Sequence, residues 1–273
     1  MTAEMRPRNP FIAALLSFFF LGLGQVYNGK GALGIAFFII YGALYVIWAL
    51  SGWPRRFTGF VALIIAATVF LLFNIVHAFI QARRIRETRL KRYQTIPVYA
   101  FFLILSFLSS FIPVRIWMSP LGVSPYKIAT TAMMPTLHEG DLLMADLKAY
   151  KGQAPERGDL VVFDYPPDPT KQFVKRVVAI EGDLIEVKAK QVYIDGEPLQ
   201  ESYKYLMDPS IDNSRDNYGP LRVPAGQCFV LGDNRDNSMD SRYWGTLPLT
   251  NIIGKASYIY WAKDKKRIGL TLK

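Results

Sequence analysis

Lys175 sits in the run FVKRVVAI, Phe173 to Ile180, among neighbours that are almost all apolar. If the run is a strand, alternation puts Phe173, Lys175, Val177 and Ala179 on one face and Val174, Arg176 and Val178 on the other. An ammonium group on an apolar face loses its hydration, which penalises the charged form and lowers its pKa toward neutrality. A lysine so placed can serve as a general base. On an edge strand the same lysine would simply reach solvent, so Lys175 alone defines no site. A second stretch, GDNRDNSMDSRYWG from Gly232 to Gly245, gathers Asp, Asn, Ser and Arg behind the apolar run CFVL. Such density suggests a loop fixed by its own hydrogen bonds and ion pairs. A calcium loop is the competing reading, but the Gly-and-Glu pattern of an EF-hand is missing. A third stretch, KIATTAMMPTLHEGD from Lys127 to Asp141, offers the hydroxyls of Thr130 and Thr131 beside Ala132. With one cysteine, Cys228, and two histidines, His77 and His138, a Cys/His zinc site and an internal disulfide are excluded. No metal and no cofactor is expected.

In this order the three stretches resemble the type I signal peptidases, membrane serine proteases with a Ser-Lys dyad. The family pattern runs SxSMxPTLxxGD, then RGDxVVF with a distal VKR, then GDNRDNSxDSR. Here the middle part reads RGDLVVFDYPPDPTKQFVKRVVAIEGD, Arg157 to Asp183, and the last is matched almost letter for letter. The resemblance runs from about Lys127 to the C-terminus and leaves the region before it outside. It implies a β catalytic fold beside the membrane and removal of signal peptides from exported precursor proteins. It also implies a role for each matching residue: Lys175 as general base, Ser238 as the hydroxyl that orients it, and Asp240 with Arg242 as a supporting ion pair. Asp233 would pair with Arg176. Met133, Pro135 and Thr136 would shape the turn after the nucleophile, with Met133 and Pro135 contacting substrate. Thr130 would stand where the family has a serine that donates to the oxyanion site.

The nucleophile position itself falls on Ala132, with Thr131 in place of the usual glycine and Ala129 in place of a proline. An alanine methyl cannot attack a carbonyl. Several neighbouring departures of IATTAMMPTL from IPSGSMxPTL speak for natural divergence over a single engineered change. Two readings follow. In one, Thr130 or Thr131 attacks with Lys175 as base, and alternation favours Thr130 because it shares a side with Ala132. In the other, the chain binds precursors, or assists an active signal peptidase, without cutting. The resemblance also implies small residues in the substrate, just before the cut and two positions earlier.

The elements that must position these residues differ between the two parts of the 273-residue chain, of which 51% is hydrophobic. Up to Met118 it is a series of apolar blocks: Phe11 to Gly24, Leu33 to Trp53, Thr58 to Ile80 and Pro97 to Met118. The last three are long enough to cross a hydrocarbon core of about 30 Å as helices. The first is shorter and runs into GLGQVYNGKG, whose glycines break a helix, so it is expected to be re-entrant or a fourth span. It lacks a convincing cleavage site and is not expected to be a cleaved leader. The connector QARRIRETRLKRYQ carries Arg83, Arg84, Arg86, Arg89, Lys91 and Arg92 against Glu87, which marks the cytoplasmic side of a lipid bilayer.

Three spans then leave everything after Met118 outside the cytoplasm, at a bacterial inner membrane. His77 reads as a packed histidine and His138 as a surface one. The net charge of +10 flanks the apolar blocks, so it suits membrane topology over nucleic acid, and the basic tail KDKKR reads as solvated. A transporter or sensor is disfavoured because the blocks carry no interior acidic residues.

After Met118, short runs rich in Val, Ile, Tyr and Phe alternate with turn signals: DLVVFDY, FVKRVVAI, DLIEVKAKQVYIDGEPL, QCFVLGD and KASYIYWA. Asp195-Gly196 is a two-residue hairpin signature. The expectation is therefore an α-helical membrane anchor region, 1–118, followed by a mainly β extracytoplasmic domain with a signal-peptidase-like fold, 119–273. Partners beyond precursors and lipid would be the secretion machinery or an active signal peptidase.

Overall fold

The computed structural model describes residues 5–85, 88–109, 111 and 114–272; Arg86 and Glu87 of the basic connector lie outside the described residues. The chain divides into two compact units, Met1–Pro54 with Thr58–Leu121, and Arg55–Phe57 with Gly122–Lys273.

In the first unit a two-residue pairing joins β1 (Met5–Arg6) to β2 (Thr88–Arg89). Helix α1 (Pro10–Phe19) starts with Pro10 in its first turn and with Asn9 accepting from the Phe11 and Ile12 amides. It ends at a turn through Gly22, whose φ is +86° and where a Cβ would lie 2.2 Å from the Gly34 carbonyl oxygen. Only glycine suits both conditions. The short α2 (Leu23–Tyr27) follows, then α3 (Gly31–Ser51) and α4 (Phe57–Arg84). These last two are long and apolar enough to cross a membrane.

Buried amides tie the first two helices to α4: Gln25 donates to the Asn74 carbonyl (3.1 Å), Asn74 to that of Ser17 (3.2 Å) and Asn28 to that of Ala78 (2.8 Å). His77 packs beside Phe37 and Phe73, with Nδ1 3.4 Å from the Gln25 amide. The block read as one span from Pro97 to Met118 is divided between α5 (Ile96–Ser109) and α6 (Val114–Met118). The 14 residues of α5 rise about 21 Å, short of a hydrocarbon core. The sequence between the two helices carries Ser110 and Pro113, poor helix formers.

The second unit is antiparallel β. One sheet has seven strands: β3 (Val123–Lys127), β4 (Leu142–Asp146), β5 (Leu160–Asp164), β6 (Gln172–Ala179), β11 (Gln227–Leu231), β12 (Leu247–Pro248) and β13 (Ile252–Trp261). Their order is β12-β11-β6-β5-β13-β4-β3. The other sheet, ordered β10-β7-β8-β9, comprises β7 (Leu184–Lys188), β8 (Gln191–Ile194), β9 (Glu197–Pro198) and β10 (Tyr218–Arg222). Single turns of helix, α7 (Asn213–Asp216) and α8 (Ser241–Trp244), sit in the connecting loops.

The β-branched and aromatic runs become strands because alternate residues bury on opposite sheet faces. Val161, Phe163, Val177 and Val230 pack in one cluster, and Leu143, Leu160, Val162 and Ile259 in another. The smaller sheet closes a third around Val178, Ile185, Val192 and Phe229. Ala179 joins that third cluster beside Val178, so the expected alternation in β6 fails at its last residue. The cause is a register slip of β11 between Phe229 and Val230, as at a β-bulge. The hairpin at Asp195 (φ 51°) and Gly196 (φ 87°) forms as read. A second two-residue turn, Ala189 (φ 46°) and Lys190 (φ 69°), has residue types that gave no such signal.

Candidate active site

Strand β6 lies inside the seven-stranded sheet between β5 and β11 and sets Lys175 opposite Val161. Strand β11 ends with Leu231 opposite Arg176, so the loop from Gly232 leaves the sheet beside Lys175. Lys175 is 4% exposed. It lines a cleft of about 330 Å³ with Ile128, Thr130, Ala132, Met133, Phe173, Val174, Asn237 and Met239 among its walls. Burial pushes the amine down from 10.5 to about 8; Asp240 and then Asp233 pull it partly back, and Arg242 opposes them.

Both carboxylates are already occupied. Asp233 binds Arg176 through both oxygens at 2.8 Å and accepts from the Thr136 hydroxyl at 2.5 Å. Asp240 binds Arg242 through both oxygens at 2.9 Å and accepts from the Gly232 amide at 3.1 Å. Both ion pairs expected from the sequence are thus present, and all four side chains are buried. Bidentate geometry of this kind fixes a loop as well as neutralising charge.

The segment carrying Ala132 is gripped by two asparagines of the same loop. The Asn234 amide N–H donates to the Ala132 carbonyl and its side chain to the Thr131 carbonyl, both at 3.2 Å. Asn237 Nδ2 donates to the Thr131 hydroxyl at 2.9 Å. That separates the two threonines: Thr131 is held by Asn237 and does not line the cleft, whereas Thr130 lines it together with Ala132 and Lys175. The Ala132 amide lies a long 3.5 Å from Thr130 Oγ1.

Ser238 is buried, and its hydroxyl has no hydrogen-bond partner among the described residues, so the expected bond to Lys175 is not formed. Its oxygen packs against Gly232, where a Cβ would stand 2.2 Å from Ser238 Oγ and 2.5 Å from the Ala132 carbonyl oxygen. Gly232 is therefore needed for close approach of three segments. Met133 lines the cleft and also joins the core, while Pro135 is exposed and outside the lining. His138 is likewise outside the lining and donates its amide to Asp141.

Sequence reasoning missed several participants. Asn234 and Asn237 were visible only as part of a polar loop, although an amide at fixed spacing behind a strand is the signal that could have found them. Glu201, which pairs with the fully buried Arg235, and Tyr203, whose ring lies 3.9 Å from the Arg176 guanidinium carbon, come from a segment with no pattern of its own. Among the described residues no group of three or more His, Cys, Asp or Glu side chains is arranged to hold a metal ion.

A family model described as signal peptidase, peptidase S26, matches residues 96–261, which include this cleft and the loop that braces it. The chain belongs to that family. Among its relatives, a probable signal peptidase I-1 of Synechocystis is 41% identical over 149 residues, covering 52% of this chain and 72% of that protein. Signal peptidase I S of Bacillus subtilis is 33% identical over 151 residues, covering 53% and 80%. Thylakoidal processing peptidase 1 of Arabidopsis thaliana is 36% identical over 151 residues, covering 52% and 43%. A crystal structure of a signal peptidase I from Enterococcus faecalis is 29% identical and covers 38% of this chain and 98% of that one, with a TM-score of 0.34. For a member of the peptidase S26 family, the arrangement provides an amine with a lowered pKa, one hydroxyl-bearing residue in the cleft lining among the described residues, Thr130, and several apolar side chains beside them. Those parts suit proton abstraction next to a bound peptide.

Proposed function

We propose that this chain is a membrane-anchored endopeptidase that removes signal peptides from exported precursors, with Thr130 supplying the attacking oxygen and Lys175 taking its proton. The observation that carries this reading is that Thr130 is the one hydroxyl side chain, among the described residues, that lines the cleft with Lys175. The neutral amine of Lys175 accepts the Thr130 hydroxyl proton as Oγ1 bonds to the scissile carbonyl carbon. The Ala132 amide, only weakly engaged, donates to the oxyanion. As the intermediate collapses, Lys175 returns the proton to the leaving amine, and water then hydrolyses the threonyl ester. Asp233 with Arg176, and Asp240 with Arg242, hold the loop, and Ser238 stands behind Ala132. Residues 1–118 form the anchor and residues 119–273 the catalytic part, on the extracytoplasmic side of the cytoplasmic membrane.

A second reading, binding of precursors without cleavage or assistance to an active signal peptidase, is favoured by one feature. Thr130 is exposed, and its hydroxyl oxygen lies 3.5 Å from the Ala132 amide. One experiment separates the two. The full chain, purified in detergent micelles, is given a precursor with alanine just before the cut, and products are read by mass spectrometry. Cleavage at that site, abolished in Thr130→Val, retained in Thr131→Val and lowered about 10²–10⁴-fold in Lys175→Met, is expected. Retained binding with no cleavage by the natural chain rejects the endopeptidase in favour of the second reading.

A further inference from the structure

The Lys175 amine is unusual in having no charged partner although two carboxylates act on it. Asp233 and Asp240 each spend both oxygens on an arginine, and among the described residues Lys175 forms no ion pair. Ala132, which shares the cleft with it, carries a methyl group in place of a hydroxyl that could accept its hydrogen bond. Apolar groups stand close by: Val161 is opposite on β5, and the Phe173 ring centroid lies 5.8 Å from Nζ. Yet the amine is not sealed in the core, because it forms part of the wall of an open cleft whose apolar walls include Ile128, Met133 and Met239 and whose polar ones include Thr130 and Asn237.

From this placement we infer that Lys175 is itself a covalent capture site for small aliphatic aldehydes, which it binds as an imine. The nitrogen lone pair attacks the aldehyde carbon and a C–N bond forms. The carbonyl oxygen leaves as water with the two amine protons, and a C=N bond remains, with no change of oxidation state. Water in the cleft carries the protons. An alkyl group on the aldehyde rests on the apolar walls, and the small Ala132 methyl leaves it room.

The nucleophile is the neutral amine, so lowering by burial favours the reaction near neutral pH. Asp240 and Asp233 oppose that effect, and Arg242 adds to it. The inference does not depend on Thr130 cutting anything.

The test uses the full chain in detergent micelles with N-acetyl-alaninal as probe and cyanoborohydride to fix the imine, followed by peptide mapping. Lys175 is expected to be labelled at least about tenfold faster at pH 7 than the exposed Lys151 and Lys263, since ordinary lysines titrate near 10.4. Its labelling rate should rise with pH to a plateau with a midpoint near 8. Labelling of Lys175 no faster than Lys151 and Lys263 at pH 7, or without a plateau above a midpoint near 8, overturns the inference. Because the readout is a mass shift on one peptide, it is independent of precursor cleavage: an inactive protein that labels at Lys175 supports capture while rejecting the endopeptidase.

Discussion

At the scale of single residues, Lys175 makes the most demanding claim. Its folded-state pKa of about 8 lies below the 10.5 of an ordinary lysine. Between those values the unfolded chain holds a proton that the folded chain has lost, so this site's contribution to stability rises with pH across that window. Below pH 8 the buried ammonium costs about 3 kcal/mol relative to a neutral group. Lys175→Met keeps most of the stem and removes the charge. It should therefore raise the unfolding midpoint of the full chain at pH 7, and the gain should shrink to nearly nothing by pH 10.5. A gain of equal size at both pH values, followed by tryptophan fluorescence in micelles, would show that the burial argument is wrong. Alternation in FVKRVVAI showed that Phe173 and Val177 share the lysine's face, but that β6 is an inner strand, and so buries it, comes only from the sheet order. The state of Ser238 could not be read from the sequence. Its hydroxyl packs against Gly232 because three chain segments converge there, and a sequence motif carries no information on rotamers.

At the scale of elements, the turn between β7 and β8 links the smaller sheet to the loop that braces the cleft. Lys190, itself at positive φ, donates to Asp236 at 2.8 Å and to the Asp208 carbonyl, and lies 3.5 Å from Asp216; all three charged side chains are at most 5% exposed. Asp236 in turn accepts from the Met207 and Asp208 amides. Removing that cation takes from the buried Asp236 its 2.8 Å partner and leaves it Arg215 at 3.5 Å, whereas Asp216 keeps Arg215 at 2.8 Å. Lys190→Met is expected to destabilise the chain by about 3 kcal/mol, or roughly 6–12 °C in melting temperature. Lys171→Met, which breaks the exposed Lys171–Asp168 pair, should leave the melting temperature where it is. Equal effects of the two would refute the role given to the turn. Strands were legible here because burial on one face writes a period of two into the sequence, and the Asp195-Gly196 turn because its residues match its dihedrals. Ala189-Lys190 matches neither rule. Its conformation is imposed by a partner some 46 residues away, and only tertiary structure shows that.

For the whole molecule, the question is which side of the membrane holds the cleft, and the helices make the answer depend on one segment. Among the described residues, helices α3 and α4 are the two long and apolar enough to cross, and two crossings would return the chain to its starting side. With the basic connector after α4 held in the cytoplasm, the cleft reaches the outside only if Ile96–Met118 also crosses, although α5 by itself rises just about 21 Å. Bilayers thin around short segments and flanking residues reach to the interface, each at modest cost, so α5 with the residues up to Met118 can complete a third crossing. The natural chain suits a labelling test, since its single cysteine, Cys228, is buried and its thiol is pushed up to about 12 by that burial. Cysteines are placed one at a time at the exposed positions Lys91 and Glu197, and intact spheroplasts are treated with a membrane-impermeant maleimide. Glu197→Cys should be labelled at once and Lys91→Cys only after permeabilisation. If both wait for permeabilisation, only α3 and α4 cross and the cleft faces the cytoplasm, where it could not meet the exported end of a precursor. That result would remove the endopeptidase reading at the level of topology, whatever Thr130 and Lys175 can do in micelles.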